Sequence, residues 1–305
     1  MPSLSTVKQS NAAVTSSAKT PVGIFIGGTS GIGRGMAAAF ARHMKGNARL
    51  IIIGRNKAAA DALIASLPSP ANKLSEFLAC DCSLMRNVDA ACEQLAKRDL
   101  DKINYLVLTI GAVDTISHEK TAEGLDKNWA AMFFGRFRFI QNLAPALDRA
   151  ADAGEEARVM TVIRAGVGAP LEWDELDMSR NGLKRWATQM PTYHDFAMAG
   201  FAKRHPKLSF IHAAPGIVWT PLFLRSRSLF VKILAYLFAP LLWLISVTEE
   251  QCGEHMMYGL YQSKPGFSDL GEKGDVIEPG YKGTDEEVER LWNWAYDRPG
   301  VPYKQ

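Results

Sequence analysis

Residues 193 to 195 set a phenol, an imidazole and a carboxylate side by side, Tyr193-His194-Asp195, within "WATQMPTYHDFAMAG" (186–200). Groups of these types trade protons, and positioned acids and bases accelerate a reaction by roughly 10²- to 10⁴-fold. Pro191 has no backbone N–H, which predicts a helix starting there and running to about Lys203. Tyr193, Ala197 and Gly200 then share one helical face. Asp195 either orients His194 or stays at the surface. Each group also has a plain reading. Tyr193 is then a partly buried tyrosine with a bonded hydroxyl, and His194 and Asp195 form an exposed helix start, where an aspartate suits the helix dipole.

A glycine turn supplies the second chemical signal. The apolar run "VGIFIGG" (22–28) passes straight into "GGTSGIGRGMA". Gly27, Gly31 and Gly33 allow a tight turn, a close backbone approach and a close helix–strand contact, with Thr29, Ser30 and Ile32 filling the turn. The helix that follows points its first N–H groups at a diphosphate. A turn placed between strand and helix is the context that makes such glycines a dinucleotide signal. The next apolar run ends "IIIGRN", where an acid would hold the ribose 2′-hydroxyl of NAD. Arg55 stands there, followed by Asn56, and no carboxylate comes before Asp61. A guanidinium suits a 2′-phosphate, which favours NADP(H) over NAD(H). The plain reading of Arg55 is a solvated surface cation.

These groups need elements to hold them. Buried strands are expected at "VGIFIGG" (22–28), "ARLIIIGR" (48–55), "SEFLACDC" (75–82), "NYLVLTIGA" (104–112), "RVMTVIRAG" (158–166) and "LSFIHAAPG" (208–216). Their runs are too continuous for one face to be wet, as in a parallel sheet covered on both sides. Helical stretches lie between them, so the fold class is α/β: a single-domain Rossmann-type doubly wound parallel sheet with helices on both faces. That domain spans 21–305. Residues 1–20 lack an apolar run for a secretory signal and lack arginine for a transit peptide, and read as a mobile tail.

Composition excludes several function classes. The net charge is +3, and bases and acids are interspersed, so there is no stripe to follow a nucleic acid. The four cysteines, Cys80, Cys82, Cys92 and Cys252, contain no CxxC pair and read as reduced, buried thiols of a cytoplasmic protein. "SLFVKILAYLFAPLLWLISV" (228–247) approaches a bilayer span in length, but Lys232 and Pro240 divide it. Segment 222–247 reads as a hydrophobic helical lid after the sixth strand or as a homo-oligomer contact. Its alternatives are a peripheral membrane contact through 228–247 and, least favoured, a true span.

Taken together, the motifs resemble the short-chain dehydrogenase/reductase superfamily over about residues 22–262, with spacing most similar to its retinol-dehydrogenase-like and fungal secondary-metabolite branches. "GGTSGIG" resembles the family's glycine turn, with Ile26 in place of a threonine. "CDCS" resembles its adenine-contacting strand end, which implies that role for Asp81, with Cys82 beside it. "TIGA" retains Gly111 of an NNAG segment. "APGIVWT" looks like PGxVxT, so Pro215, Gly216, Val218 and Thr220 are expected at the nicotinamide and diphosphate. The family's acid tetrad is Asn, Ser, Tyr and Lys. Matching its pattern puts Met132, Arg164, about Ala187 and about Pro191 at those places, and no YxxxK exists in the sequence. Arg164 at a strand end beside a nicotinamide has two readings. It binds a substrate carboxylate, an enolate or a developing oxyanion, or it pairs with an acid such as Glu172 or Asp174.

The resemblance implies an NADP(H)-dependent oxidoreductase acting on a bulky lipophilic carbonyl or alcohol, in secondary metabolism, through a remodelled site of Arg164, Tyr193, His194 and Asp195. Two rivals stand beside it. One is a non-redox isomerase, cyclase or dehydratase that keeps the fold; the other is a non-catalytic NADP(H)-binding protein.

Overall fold

A computed structural model of the chain describes residues 1–98, 100–111, 119–176, 183–219 and 246–297, the side chains of 183–185 excepted. Six apolar runs form the expected parallel strands: β1 (Val22–Ile26), β2 (Arg49–Gly54), β3 (Glu76–Ala79), β4 (Tyr105–Leu108), β5 (Arg158–Val162) and β6 (Ser209–Ala213). Two further strands, β7 (Gly266–Leu270) and β8 (Val276–Ile277), extend the sheet. The order is β3-β2-β1-β4-β5-β6-β7-β8, parallel except for the antiparallel β7–β8 pair. The order reverses between β1 and β4, and a crevice at such a reversal is where doubly wound sheets bind ligands.

Alternation along each strand divides the core in two. Ile24, Ile26, Leu106, Leu108, Val159 and Phe210 face α5 (Met85–Ala96), α6 (Lys127–Trp129), α7 (Gly135–Asp152), α8 (Leu183–Arg204) and α10 (Asp285–Asp297). Phe25, Leu50, Ile52, Val107, Met160 and Ile211 face α2 (Gly31–His43), α3 (Lys57–Ser66), α4 (Ala71–Leu74) and α9 (Glu249–Gln262). Both faces of β1, β2, β4, β5 and β6 are dry, which is why the sequence shows apolar runs there and not a period of two.

Three local expectations are corrected. Residues 4–12 are not a mobile tail. Helix α1 (Leu4–Ala12) is capped by Ser3 and buries Val7 and Asn11. The Asn11 amide donates to the Glu254 carbonyl oxygen (2.9 Å) and to its Oε2 (2.7 Å), which pins α1 to α9. A polar stretch acquires order here by satisfying a buried carboxylate, an interaction that no hydrophobic period reports. Second, α8 does not start at Pro191 but carries that proline inside it. Third, β7 was not expected, because "GFSDL" is short and holds a buried aspartate. Thr220 and residues 222–245 of the expected lid lie outside the described residues; Val247 pairs with Val218 in a parallel bridge. Among the described residues no helix is long and apolar enough to cross a membrane.

Candidate nucleotide and active site

The glycine turn sits at the reversal of strand order. Gly27 has φ 91°, and a Cβ on Gly33 would collide with Thr109 Oγ1 and lie 2.7 Å from the Gly27 carbonyl oxygen. Only glycine brings the turn and α2 this close to the end of β4. Helix α2 begins at Gly31 behind Ser30, whose side chain makes no cap bond, and Thr29 and Ile32 complete the turn. The free N–H groups of its first turn form an anion cradle.

Beyond β2, Arg55 is exposed and Asn56 caps α3 by accepting the Ala59 N–H at 3.1 Å. Arg55 and Asp81 line the same cleft of about 410 Å³, together with Cys80, Asn87, Ala90 and Gln94. Burial opposes ionisation of Asp81. Two bonds from Ser83 and the charge of Arg55 outweigh it and lower its pKa. Cys82 does not line that cleft; its carbonyl lies beside Gly135.

The residues matched to the catalytic tetrad lie beyond the ends of β4 and β5. Met132 lies in a π-helical turn, Ala130–Phe134, and its Cε is 3.5 Å from where a Cβ of Gly111 would stand. Arg164 is exposed, and its guanidinium donates to the Ala187 carbonyl oxygen at 3.4 Å. That carbonyl is four residues before Pro191, which has no N–H to offer it. Arg164 therefore supplies a donor that the proline withholds, which shows how the helix tolerates Pro191. Glu172, one of the acids expected beside Arg164, accepts a bond from the Gln189 amide (2.9 Å). Pro215 and Gly216 follow β6, with Gly216 at φ 68°, and Val218 is held to Val247. Thr220 lies outside the described residues.

The row Tyr193-His194-Asp195 is buried throughout, which corrects the exposed helix start read for His194 and Asp195 and agrees with the plain reading of Tyr193 as a buried tyrosine with a bonded hydroxyl. Tyr193 is 0% exposed among Trp129, Phe133 and Trp294, and its hydroxyl donates to the Leu176 carbonyl at 2.9 Å. On the same face, Gly200 abuts Trp292 of α10, so this face looks into the core and not at a cofactor. His194 bonds the Met132 carbonyl. Burial, with the charge of Arg136, keeps its pKa well below the usual histidine range. Asp195 orients not His194 but His212, whose Nδ1 lies 2.5 Å from Asp195 Oδ1.

Sequence reasoning missed three residues here. Arg136 is 2% exposed at the start of α7, and it donates to Thr161 Oγ1 (2.6 Å), the Val162 carbonyl (3.0 Å) and the Ile110 carbonyl (Nε, 3.1 Å). His212 and Asp269 stand in register with Thr161 across β5, β6 and β7. A histidine inside the apolar run "LSFIHAA" was the available signal for His212. Asp269 had none, since its strand was unrecognised.

Residues 22–164 match the short chain dehydrogenase family model. Oxidoreductase andH of Emericella variicolor is 33% identical, over 85% of this chain and 74% of that protein. An oxidoreductase of Emericella nidulans is also 33% identical, over 99% of this chain and 91% of its own length. Among solved structures, NADPH-bound carbonyl reductase from chicken fatty liver superposes with a TM-score of 0.59 at 15% identity, covering 88% of this chain and 97% of that one. The 3-ketoacyl-(acyl-carrier-protein) reductase of Brucella melitensis, complexed with NADH, gives 0.58 at 19%, covering 84% and 98%. At such identities the two structures speak for the fold alone.

Proposed function

The chain belongs to the short-chain dehydrogenase family, and from that premise we propose that it is an NADP(H)-dependent oxidoreductase acting on a bulky lipophilic carbonyl or alcohol compound of secondary metabolism. One observation carries the cofactor part of this reading. The glycine turn and the start of α2 face the end of β4, and the neighbouring cleft is lined by a cation, Arg55, as well as by Asp81. The turn and the first N–H groups of α2 would hold the diphosphate, Asp81 the adenine side, and Arg55 a 2′-phosphate. Bound there, the nicotinamide supplies or accepts a hydride. The 33%-identical oxidoreductases support redox chemistry, and the shared fold is one that holds NADPH in the carbonyl reductase and NADH in the Brucella melitensis reductase. Ile217 and Trp219, exposed after β6, support an apolar substrate at the rim.

In this reading Arg164 steadies the oxygen that gains charge as hydride arrives, since a cation aimed at developing charge stabilises a transition state. Its exposure at the end of β5 leaves it open to a substrate. Tyr193 is committed to Leu176 within the core, so the last proton comes from an acidic group of the substrate or from water. The same burial favours, as a second reading, a non-redox enzyme that uses the cofactor pocket as a shaped cavity.

Incubation with stoichiometric NADPH and a panel of hydrophobic ketones separates these readings when nicotinamide absorbance and product mass are followed together. Oxidation of NADPH with a product two hydrogens heavier is the expected result. A rearranged product of unchanged mass with intact cofactor supports the second reading, and tight NADPH binding without product supports a non-catalytic binding protein. Arg164→Ala is expected to abolish turnover while NADPH still binds; unchanged turnover removes Arg164 from the mechanism.

A further inference from the structure

Three side chains meet beneath the ends of β5, β6 and β7, on the side covered by α8. His212 Nδ1 lies 2.5 Å from Asp195 Oδ1 and 3.6 Å from Asp269 Oδ1. The three groups can place one nitrogen and two carboxylate oxygens within 4.8 Å of one another. All three residues are at most 3% exposed. Asp195 Oδ2 and both oxygens of Asp269 have no hydrogen-bond donor among the described residues. Two ionised carboxylates cannot stand together in such a place without a cation or a proton between them.

Two observations decide between these. Ligand atoms bound to one zinc at about 2.0–2.2 Å in tetrahedral array stand roughly 3.4 Å apart. The 2.5 Å contact between His212 Nδ1 and Asp195 Oδ1 is instead that of a hydrogen bond from the ring to the carboxylate. Charge gives the same answer. Arg136 lies one strand away, fully buried, with its bonds made to neutral oxygens of Thr161, Val162 and Ile110. A dication with two carboxylates would leave this interior with a net charge of +1 once Arg136 is counted. One proton on the pair leaves it neutral.

We propose that Asp195 and Asp269 share a single proton, Asp195 accepting from both Asp269 and the His212 imidazole, and that this triad is a positioning device for the end of β5. Its link to the site is His212 Nε2, which accepts the Arg164 backbone N–H at 3.4 Å. Arg164 is the residue assigned to the substrate oxygen, so the effects on turnover rest on the proposed function, whereas the shared proton does not. The charged and titratable groups facing the triad are Arg136 of α7, His194 of α8 and Glu278 beyond β8. Burial lifts Asp195 to about 7. Burial and the charge of Asp195 lift Asp269 to about 8, and burial with the charge of Arg136 depresses His212 to about 4. The imidazole is thus neutral and the Asp195–His212 contact is a hydrogen bond, not an ion pair. When the shared proton leaves, a second negative charge faces His212. The proton passes to solvent base and the imidazole stays neutral; repulsion between the two carboxylates then shifts the Asp195 oxygen that holds His212 and takes Nε2 out of line with the Arg164 N–H.

The test uses the full chain with ¹³C-labelled aspartate carboxyls, titrated in the wild type and in Asp269→Asn. The wild type should show one buried carboxyl that stays protonated near neutrality, and that signal should vanish in the variant. The asparagine amide still donates to Asp195, so Asp269→Asn should keep turnover with NADPH to within about threefold while losing the alkaline fall of the pH profile. Asp269→Leu lacks any donor and should lose about tenfold or more. Should Asp269→Asn fold poorly, the wild-type titration alone decides. The proposal fails if both carboxyls titrate in the ordinary range, or if the purified protein holds stoichiometric zinc or manganese that Asp269→Asn releases. A wild type that turns over no ketone refutes the proposed function and leaves the carboxyl titration to judge the triad.

Discussion

Single residues exchanged roles between sequence and structure. Tyr193 has the chemistry of an acid, yet its ring is packed by Trp129, Phe133 and Trp294 and its hydroxyl is spent on Leu176. Tyr193→Phe should therefore leave turnover intact and cost about 1–2 kcal/mol in denaturant unfolding, because the Leu176 carbonyl loses a buried donor. Arg164 does the reverse of what its plain reading supposed: it serves a carbonyl freed by Pro191, not an acid. Arg164→Ala should cost stability in the native background and less in Pro191→Ala, where residue 191 regains the N–H that Ala187 lacks. A double-mutant cycle should return a coupling of about 1 kcal/mol. Arg55→Ala should weaken NADPH binding by about tenfold or more and leave NADH binding unchanged, since bonds to charged groups contribute about 1.5–3 kcal/mol. Unchanged NADPH affinity, by titration calorimetry, would return Arg55 to the solvated surface.

Elements carry the glycine turn, and their spacing is what makes it unforgiving. A methyl group on Gly33 would meet Thr109 Oγ1 and the backbone of Gly27, so Gly33→Ala must push α2 away from β4. Loss of measurable NADPH affinity in a chain that still folds, judged by circular dichroism, is the expected result. This part of the molecule was legible in the sequence because its cause is local: strand, turn and helix succeed one another without a break. The parallel strands β1, β2, β4, β5 and β6 were legible for a related reason, since a strand that is dry on both faces prints a continuous apolar run. The triad was not. Asp195, His212 and Asp269 come from three elements, and one of them, β7, was hidden by the very aspartate that matters. Helix α8 was misplaced because Pro191 is a local signal to start a helix. Its interior position depends on a guanidinium from the end of β5, which no window of sequence around residue 191 contains.

On the scale of the whole molecule, one carboxylate ties the N-terminal residues to the sheet. Glu254 of α9 receives Asn11 of α1, Arg42 (2.7 Å) and His43 (3.1 Å) of α2. Burial works against its charge, but these bonds prevail and hold its pKa near 2. The unfolded value is about 4.5, so the stabilisation is complete above that pH and is lost as pH falls towards 2. Wild type should lose up to about 3 kcal/mol across this window, and Glu254→Gln should flatten the profile in acid unfolding. The Asn11–Glu254 bond joins residues 243 positions apart. On a ribosome adding roughly 5–20 residues per second, α1 therefore leaves the tunnel about 12–50 seconds before its docking site has been made. A helix made long before α9 is thus among the last to find its place, and its buried Val7 and Asn11 wait in solvent, or in the hands of a chaperone, until α9 arrives.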